Sequence, residues 1–432
     1  MTGSVGAAAT LGELHEWLSD TWDPAVSLRD WWQRLAESGW AFGHYPPAWF
    51  GRGLPPALAG TVSRAVRDFG AVPGPAGFAT GMAAPTLLDH GTDEQKARHL
   101  PGMVMGTDAF CQLFSEPNAG SDLAGLQCRA ERDGDSWVVN GQKVWTSSAQ
   151  IANKAMLVAR TNVDVPKHAG ISYFFIDVRQ PGVEIRPLRE MTGRALFNEV
   201  FFTDARVPAE DLIGGEGNGW AVANTTLAYE RGRLNTGGVW SWASPGPIAL
   251  DLDRPAGEFT GPSNAPPSFP PPQSAFRLAA IASRLGRGAD PFIRHDLVRL
   301  YVLERLAGMT GLRARALGEC GRELPGLPQL TKMAANHHVR LSRQVVFEVL
   351  KEVGTLFGYD EDGVIQIERL TGINGLGEII ESAVFAAAPP IYGGSDQIQR
   401  NILGERVLGL PREPGDDRKV PFKDLLKNER VV

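Results

Sequence analysis

Cysteine is scarce in this chain. Its 432 residues include three cysteines, Cys111, Cys128 and Cys320, and no Cys-x-x-Cys pair. They are too few and too scattered for a disulfide framework or a zinc site. The adjacent histidines His337 and His338 cannot both face one metal ion from a helix, because successive helical residues point about 100° apart. We therefore expect no metal site and a reducing, cytoplasmic setting.

Long apolar runs and an excess of basic residues are also absent. No stretch approaches the roughly 20 apolar residues that a membrane-spanning helix needs. Residues 1–10 lack the basic start and apolar run of a signal peptide. The formal net charge of −6 leaves no basic excess to neutralise phosphates. These absences predict a protein with no membrane and no nucleic-acid partner.

The glycine motifs that usually cradle nucleotide phosphates are missing as well. The chain has no Gly-x-Gly-x-x-Gly after a strand and no P-loop. Its glycine cluster, residues 214–219, lies between a β-like region and a helical one, so a plain connection is the better interpretation. Any dinucleotide must be held in another way.

Helical patterns occupy the first hundred residues and most of the last two hundred. Apolar residues recur at helical spacing in five segments: 11–18, 28–36, 298–317, 330–353 and 379–387. Thr92, with Gln95 three residues later, predicts a further helix start, because this pair has the arrangement of a capping box.

The pattern between about residues 108 and 213 is that of short strands. The β-like runs are 137–139, 154–160, 171–178 and 199–202. The first is flanked by Asp133-Gly134 and Asn140-Gly141, dipeptides that strongly favour hairpin turns. A helical, then β, then helical order predicts an α+β protein rather than a doubly wound sheet. We expect domains at 1–107, 108–219 and 220–432.

One segment of the C-terminal region has neither pattern. Residues 241–274 are rich in proline and glycine and include Pro270-Pro271-Pro272. Proline removes backbone donors and glycine adds chain entropy, so the segment cannot be a helix interior. We expect an irregular, exposed insertion without a packed core of its own, and it could lie near the entrance of a substrate pocket.

Four short strings contain residue types suited to binding. They are residues 111–122 (CQLFSEPNAGSD), 140–148 (NGQKVWTSS), 227–233 (LAYERGR) and 391–401 (IYGGSDQIQRN). Amides and hydroxyls in the first, and an indole beside hydroxyls in the second, suit a flat heterocycle. The last is a glycine turn that feeds a helix N-terminus, where anions bind. Taken singly, each string is also typical of an ordinary loop, a packed sheet residue or a surface ion pair.

Together, in this order and spacing, the four strings resemble the acyl-CoA dehydrogenase family of flavoproteins. The resemblance extends to residues 188–193 (LREMTG), 197–200 (FNEV) and 405–409 (ERVLG), and covers nearly the whole chain apart from the proline-rich insertion. It implies an N-terminal helical domain, a central β-barrel or β-sandwich domain and a C-terminal four-helix bundle. It also implies FAD between the β domain and the C-terminal helices, an acyl-CoA substrate, and an electron-transfer flavoprotein or another acceptor.

The resemblance further implies two sets of binding residues. Those for FAD are Gln112, Phe114, Ser115, Ser121, Trp145, Thr146, Ser147, Ser395 and Gln397, with Arg284 or Arg287 serving the pyrophosphate of a neighbouring subunit's cofactor. Those for the acyl-CoA are Ser121, Arg231 and Gly393. A cofactor completed by a second subunit implies a dimer, or a tetramer of dimers, formed with itself or with a related chain.

The chain departs from the commonest family pattern at the catalytic base. The usual glutamate follows the tyrosine of the fourth string, but here Tyr392 is followed by Gly393, which has no side chain. Some members instead place the base on the helix of the third string, directly before an arginine, and Glu230-Arg231 matches that arrangement. The resemblance therefore implies Glu230 as the base, in a dry pocket that raises its pKa.

Three functions remain open from the sequence. The first is FAD-dependent α,β-dehydrogenation of an acyl-CoA to the trans-2-enoyl-CoA. The second is a catalytically silent, FAD-binding partner subunit of a hetero-oligomeric acyl-CoA dehydrogenase, with Glu230 paired to Arg231 or Arg233 at the surface. The third is a flavin oxidase or monooxygenase on the same fold. The acyl group is not revealed by the sequence.

Overall fold

The chain begins with five helices. The computed structural model describes residues 2–235, 251–260, 271–320, 322, 324–358, 360–412 and 419–425. The first helices are α1 (Thr2–Thr21), α2 (Leu28–Glu37), α3 (Pro56–Asp68), α4 (Ala84–His90) and α5 (Asp93–Val104). The predicted capping box starts α5: Gln95 N donates to Thr92 Oγ1 at 3.3 Å, and Thr92 N donates to Gln95 Oε1 at 3.0 Å.

Eight strands follow and form one mixed sheet. They are β1 (Phe110–Leu113), β2 (Arg129–Asp133), β3 (Ser136–Ser147), β4 (Lys154–Arg160), β5 (Ile171–Asp177), β6 (Val183–Leu188), β7 (Phe197–Pro208) and β8 (Leu212–Ile213). Their order is β6-β7-β3-β2-β4-β5-β8, and β1 pairs in parallel with β4. Tyr173 and Phe175 of β5 pack against α4, α5 and the helix after the sheet, while Phe174 packs into a core on the opposite face.

One predicted hairpin turn is confirmed and the other is wrong. Asp133-Gly134 closes the β2–β3 hairpin, with Gly134 at φ +62°. Asn140-Gly141 instead lies inside β3, at a shift in its pairing with β7. A Cβ atom at Gly141 would lie 2.8 Å from Cys128 Cα, so this glycine permits a bulge and a close approach of Cys128, the residue before β2.

Seven helices complete the described chain. They are α6 (Gly219–Asn235), α7 (Ala275–Arg284), α8 (Pro291–Glu319), α9 (Leu327–Leu350), α10 (Glu361–Thr371), α11 (Leu376–Phe385) and α12 (Asp396–Ile402). The three C-terminal segments predicted as helical fall largely on α8, α9 and α11. Their inward faces share one apolar core with α7. The helical–β–helical order predicted from the sequence is confirmed.

The proline-rich insertion is irregular where it is described, apart from a short 3-10 helix at Ala256–Phe259, but the prediction that it is exposed is wrong for part of residues 251–260. Leu252 and Ala256 are buried in the core of the N-terminal helices. Arg254 O and Leu252 O each accept a hydrogen bond of 2.8 Å, from Leu28 N and Arg29 N. These are first-turn amides of α2, which have no partner within their own helix, so the insertion satisfies them. Residues 241–250 and 261–270 lie outside the described residues.

None of the helices in the described ranges combines the length and the apolar character needed to cross a bilayer. Across the same ranges, no three His, Cys, Asp or Glu side chains form a group that could hold a metal ion.

Candidate functional site

The first two strings are joined by backbone and by a buried ion pair. Val144 N, in β3, donates to Ser115 O at 2.9 Å. Lys143 Nζ donates to Phe114 O at 3.0 Å and to Glu116 Oε1 at 2.9 Å. Both side chains of the pair are buried. The loop after β1 and the end of β3 therefore form one rigid surface.

Trp145 lies on that surface with its ring exposed. Its φ is +61°, at an irregularity in the β3–β7 pairing between Lys143 and Thr146. The indole remains 58% exposed and meets Phe197 edge-on at 5.8 Å between centroids. Beside it, Thr146 Oγ1 is buried and has no hydrogen-bond partner among the described residues. An exposed aromatic ring is thus followed directly in the sequence by a buried, unsatisfied hydroxyl.

The third string is connected to the first through the sheet. Phe114 and Tyr173 pack edge-to-face at 5.9 Å. The Tyr173 hydroxyl lies 3.1 Å from Thr226 Oγ1 on α6, and burial raises the pKa of this tyrosine. Glu230 follows Thr226 by four residues, so both side chains leave the same face of α6. This face places Glu230 one helical turn beyond the contact with the β domain.

The fourth string forms the turn between α11 and α12. Gly393 and Gly394 have φ values of +62° and +87°, which glycine adopts without strain. Ser395 caps α12, with its Oγ accepting from Ile398 N at 3.4 Å. Gln399 Nε2 donates to Gly394 O at 3.2 Å. The N-terminus of α12 therefore begins at the glycine turn.

Glu230 interacts electrostatically with the fourth string. Burial, together with the negative charge of Glu230, raises the pKa of Tyr392 to about 12. Lys332 of α9 belongs to the same group: its Nζ lies 4.7 Å from the centroid of the Tyr392 ring. Burial lowers the pKa of Lys332 to about 8, against the opposing effect of the Glu230 and Asp396 carboxylates. The sequence interpretation did not identify Lys332. The one signal in the sequence that could have found it was a lysine on a buried helix face.

The remaining residues predicted for the site differ in their exposure and in their partners. Ser121 is exposed, and the neighbouring Asp122 pairs with Lys167 at 3.0 Å. Arg287 donates to Val349 O at 2.7 Å and lies 3.5 Å from Glu352, within the C-terminal helices. The other residues predicted to bind the cofactor differ in exposure. Arg284 and Gln397 are exposed, Gln112, Ser115 and Ser147 are half-buried, and Phe114 is buried. The Arg231 side chain lies outside the described residues.

Comparisons with known proteins identify relatives along most of the chain. The family model described as acyl-CoA dehydrogenase, N-terminal domain, matches residues 12–107, and the middle-domain model matches residues 111–205. The chain is 37% identical over 397 residues to the acyl-CoA dehydrogenase IpdE1 of Mycolicibacterium smegmatis, covering 89% of this chain and 88% of that protein. It is 34% identical over 378 residues to the acyl-CoA dehydrogenase FadE34 of Mycobacterium tuberculosis, covering 88% of this chain and 46% of that protein.

Solved structures share the fold. A chain of the ChsE4-ChsE5 complex from Mycobacterium tuberculosis is 25% identical with a TM-score of 0.63, and the match covers 94% of this chain and 95% of that one. The Tcur3481-Tcur3483 steroid ACAD is 23% identical with a TM-score of 0.65, covering 95% and 98%. Since relatives of more than 30% identity align along most of its length, this protein belongs to the acyl-CoA dehydrogenase family of flavoprotein oxidoreductases.

Proposed function

We propose that this protein uses FAD to desaturate an acyl-CoA between its α and β carbons, giving the trans-2-enoyl-CoA, with Glu230 as the base. One observation carries the proposal: Glu230 lies on α6 one helical turn beyond Thr226, which meets Tyr173 of the β domain, and its charge acts on Tyr392 and Lys332 beside the glycine turn. A carboxylate is therefore present next to a turn that has no side chain of its own at Gly393. The domain limits 1–107, 108–219 and 220–432 are part of the same proposal.

The residues of the first two strings fit a flavin. The exposed Trp145 ring offers stacking area for a flat heterocycle. Thr146 Oγ1, buried and unsatisfied among the described residues, offers a hydrogen bond to a polar ring edge. Ser395, at the N-cap of α12, would contact part of the cofactor's diphosphate. Gln112, Phe114, Ser115, Ser121, Ser147 and Gln397 complete the proposed cofactor set.

The chain's own residues would divide the chemistry between base and oxyanion donor. Glu230 would remove the α-proton, and the Gly393 amide would donate a hydrogen bond to the thioester oxygen, where negative charge develops. FAD, when bound, supplies the acceptor for the hydride that leaves the β-carbon. Ser121 and Arg231 would hold the acyl-CoA. An electron-transfer flavoprotein or another acceptor would then reoxidise the cofactor.

A second subunit would complete the site. Five exposed apolar side chains recur at spacings of three or four along α8: Val298, Val302, Leu306, Met309 and Leu312. Together they form the α8 stripe, which is typical of a helix with a packing partner. Arg284 or Arg287 of the neighbouring protomer would then reach the cofactor. The partner would be a second copy or a related chain, as in the ChsE4-ChsE5 complex.

The decisive experiment combines purification with flavin bleaching. The chain, expressed alone, should be yellow with non-covalent FAD. Under anaerobic conditions it should lose its flavin absorbance with at least one of butanoyl-, octanoyl-, palmitoyl-, 2-methylbutanoyl- and steroid-side-chain acyl-CoA. Glu230→Gln should keep FAD and acyl-CoA binding but slow flavin reduction by more than about a hundredfold, because it removes general-base catalysis.

Three results would point elsewhere. Flavin reduction by Glu230→Gln at the parental rate would exclude this residue as the base. A parental protein that is inert alone but active with a related subunit would support the silent-partner function. A colourless protein that cannot be reconstituted with FAD would refute the proposal.

A further inference from the structure

Three polar side chains on one face of α9 hold the segment that contains the glycine turn. Lys332, Asn336 and Arg340 are spaced by four residues, so they lie above one another on the helix. Lys332 Nζ donates to Pro389 O at 2.9 Å. Asn336 Nδ2 donates to Asp396 Oδ1 at 2.6 Å, and Arg340 Nη2 lies 2.6 Å from Asp396 Oδ2. We call these three residues the α9 row.

Lys332 is the member of the α9 row that also faces α6. Its ammonium group interacts with the Glu230 carboxylate from α6, with the Asp396 carboxylate from α12 and with the Tyr392 ring. Asp396 is already engaged by Asn336 and Arg340, and Arg400 adds further positive charge to it. Since Tyr392 keeps its proton up to about pH 12, the negative charges that act on Lys332 at neutral pH are the Glu230 and Asp396 carboxylates.

We propose that Lys332 is a positioning residue for catalysis. Its ammonium group keeps the Glu230 carboxylate ionised, and its hydrogen bond to Pro389 fixes the start of the turn that presents the Gly393 amide. Base and oxyanion donor are thereby held in one geometry by a single side chain. The inference rests on the proposed role of Glu230.

The first test is the pH dependence of flavin reduction by the panel acyl-CoA that reduces the parental holoenzyme fastest. In Lys332→Met the acid limb should move up by about one pH unit, because a neighbouring cation no longer favours the ionised carboxylate. Lys332→Arg should return it toward the parental position. Arg340→Met is the matched control: it removes a cation of the same row that pairs with Asp396, and its acid limb should stay in place. An unmoved acid limb in Lys332→Met overturns the proposal.

The second test needs no turnover. Urea unfolding of Lys332→Met, Glu230→Gln and the double variant forms a thermodynamic cycle. The two substitutions should be non-additive by about tenfold in the unfolding equilibrium constant, as found for side chains in contact. Additivity would overturn the pairing even if a variant loses its cofactor.

The two tests separate this inference from the proposed function. If Glu230→Gln still reduces its flavin, the base is another group, and the inference about catalysis falls with it whatever the cycle reports. If Glu230→Gln is inactive while Lys332→Met keeps the parental pH profile, the base stands and the role of Lys332 is refuted.

Discussion

Lys143 and Glu116 form a buried ion pair, with Lys143 Nζ 2.9 Å from Glu116 Oε1, at the junction of the two loops proposed to hold the flavin. Glu116 also accepts from Gln127 N at 2.7 Å and from Cys128 N at 2.9 Å. One carboxylate therefore accepts from three donors, two adjacent amides before β2 and the Lys143 ammonium of β3. Such a pair specifies a geometry more than it adds net stability, because desolvation offsets most of its attraction.

Removing one partner of this pair should destabilise the folded protein. Lys143→Met leaves a buried carboxylate without its cation, so the free energy of unfolding should fall by about 3–5 kcal/mol, with loss of bound FAD. Urea unfolding and the FAD-to-protein absorbance ratio measure both effects. Arg186→Met is the control, because the Glu184–Arg186 pair is exposed and its loss should cost less than about 1 kcal/mol. Equal effects of the two variants would contradict the structural role of the buried pair.

Two tryptophans of β3 should separate cofactor binding from folding. Trp145→Ala should weaken FAD binding by about tenfold, through lost stacking, while leaving the apoprotein nearly as stable, because the ring is exposed. Trp137 is buried in the sheet core, so Trp137→Ala should lower the free energy of unfolding by about 3–5 kcal/mol. FAD titration and unfolding of the apoproteins distinguish the two. Unchanged FAD affinity in Trp145→Ala would remove Trp145 from the cofactor site.

The three cysteines should differ in reactivity. Burial raises the pKa of Cys111 to about 12 and that of Cys128 to about 11, so neither thiolate forms appreciably at neutral pH. Cys320 is exposed. Iodoacetamide at pH 7.5 should therefore modify one site in the native protein, and Cys320→Ser should abolish the modification, as read by mass spectrometry. Modification of Cys128 in the native protein would contradict its burial.

The docked part of the insertion should stabilise the N-terminal helices. Leu252→Asp puts a charge into the core beside α2 and should lower the free energy of unfolding by about 2–4 kcal/mol. Asp253→Ala, at an exposed position paired with Arg29, should change it by less than about 1 kcal/mol. Because the contacts lie in the N-terminal core, FAD content should stay close to parental in both. Equal stability of the two variants would show that the segment is not docked in solution.

The sequence predicted the order of helices and strands because that order depends on local hydrophobic periodicity. It misassigned Asn140-Gly141, since a dipeptide pattern does not reveal that Cys128, just before β2, would lie within 3 Å of a Cβ atom at the glycine position. It also missed the docking of Leu252, because the amides that the insertion satisfies lie more than 200 residues earlier in the chain. The sequence did not predict a role for Lys332 for the same reason. Its partners, Pro389 and Glu230, are brought together only by the packing of α6, α9 and the α11–α12 turn.

The α8 stripe should control association. Met309→Glu with Leu306→Glu places two charges on the proposed contact face, so the protein should move to a smaller species in size-exclusion chromatography with light scattering. Val163→Glu, an exposed apolar position between β4 and β5, is the control and should keep the parental mass. If Arg284 or Arg287 of a second protomer completes the cofactor site, FAD should be lost together with the assembly. A parental protein that is already monomeric would make a related chain the partner, and the same substitutions should then block binding to that chain. If the parental protein is an oligomer, an unchanged mass in the double variant would exclude the stripe as the interface.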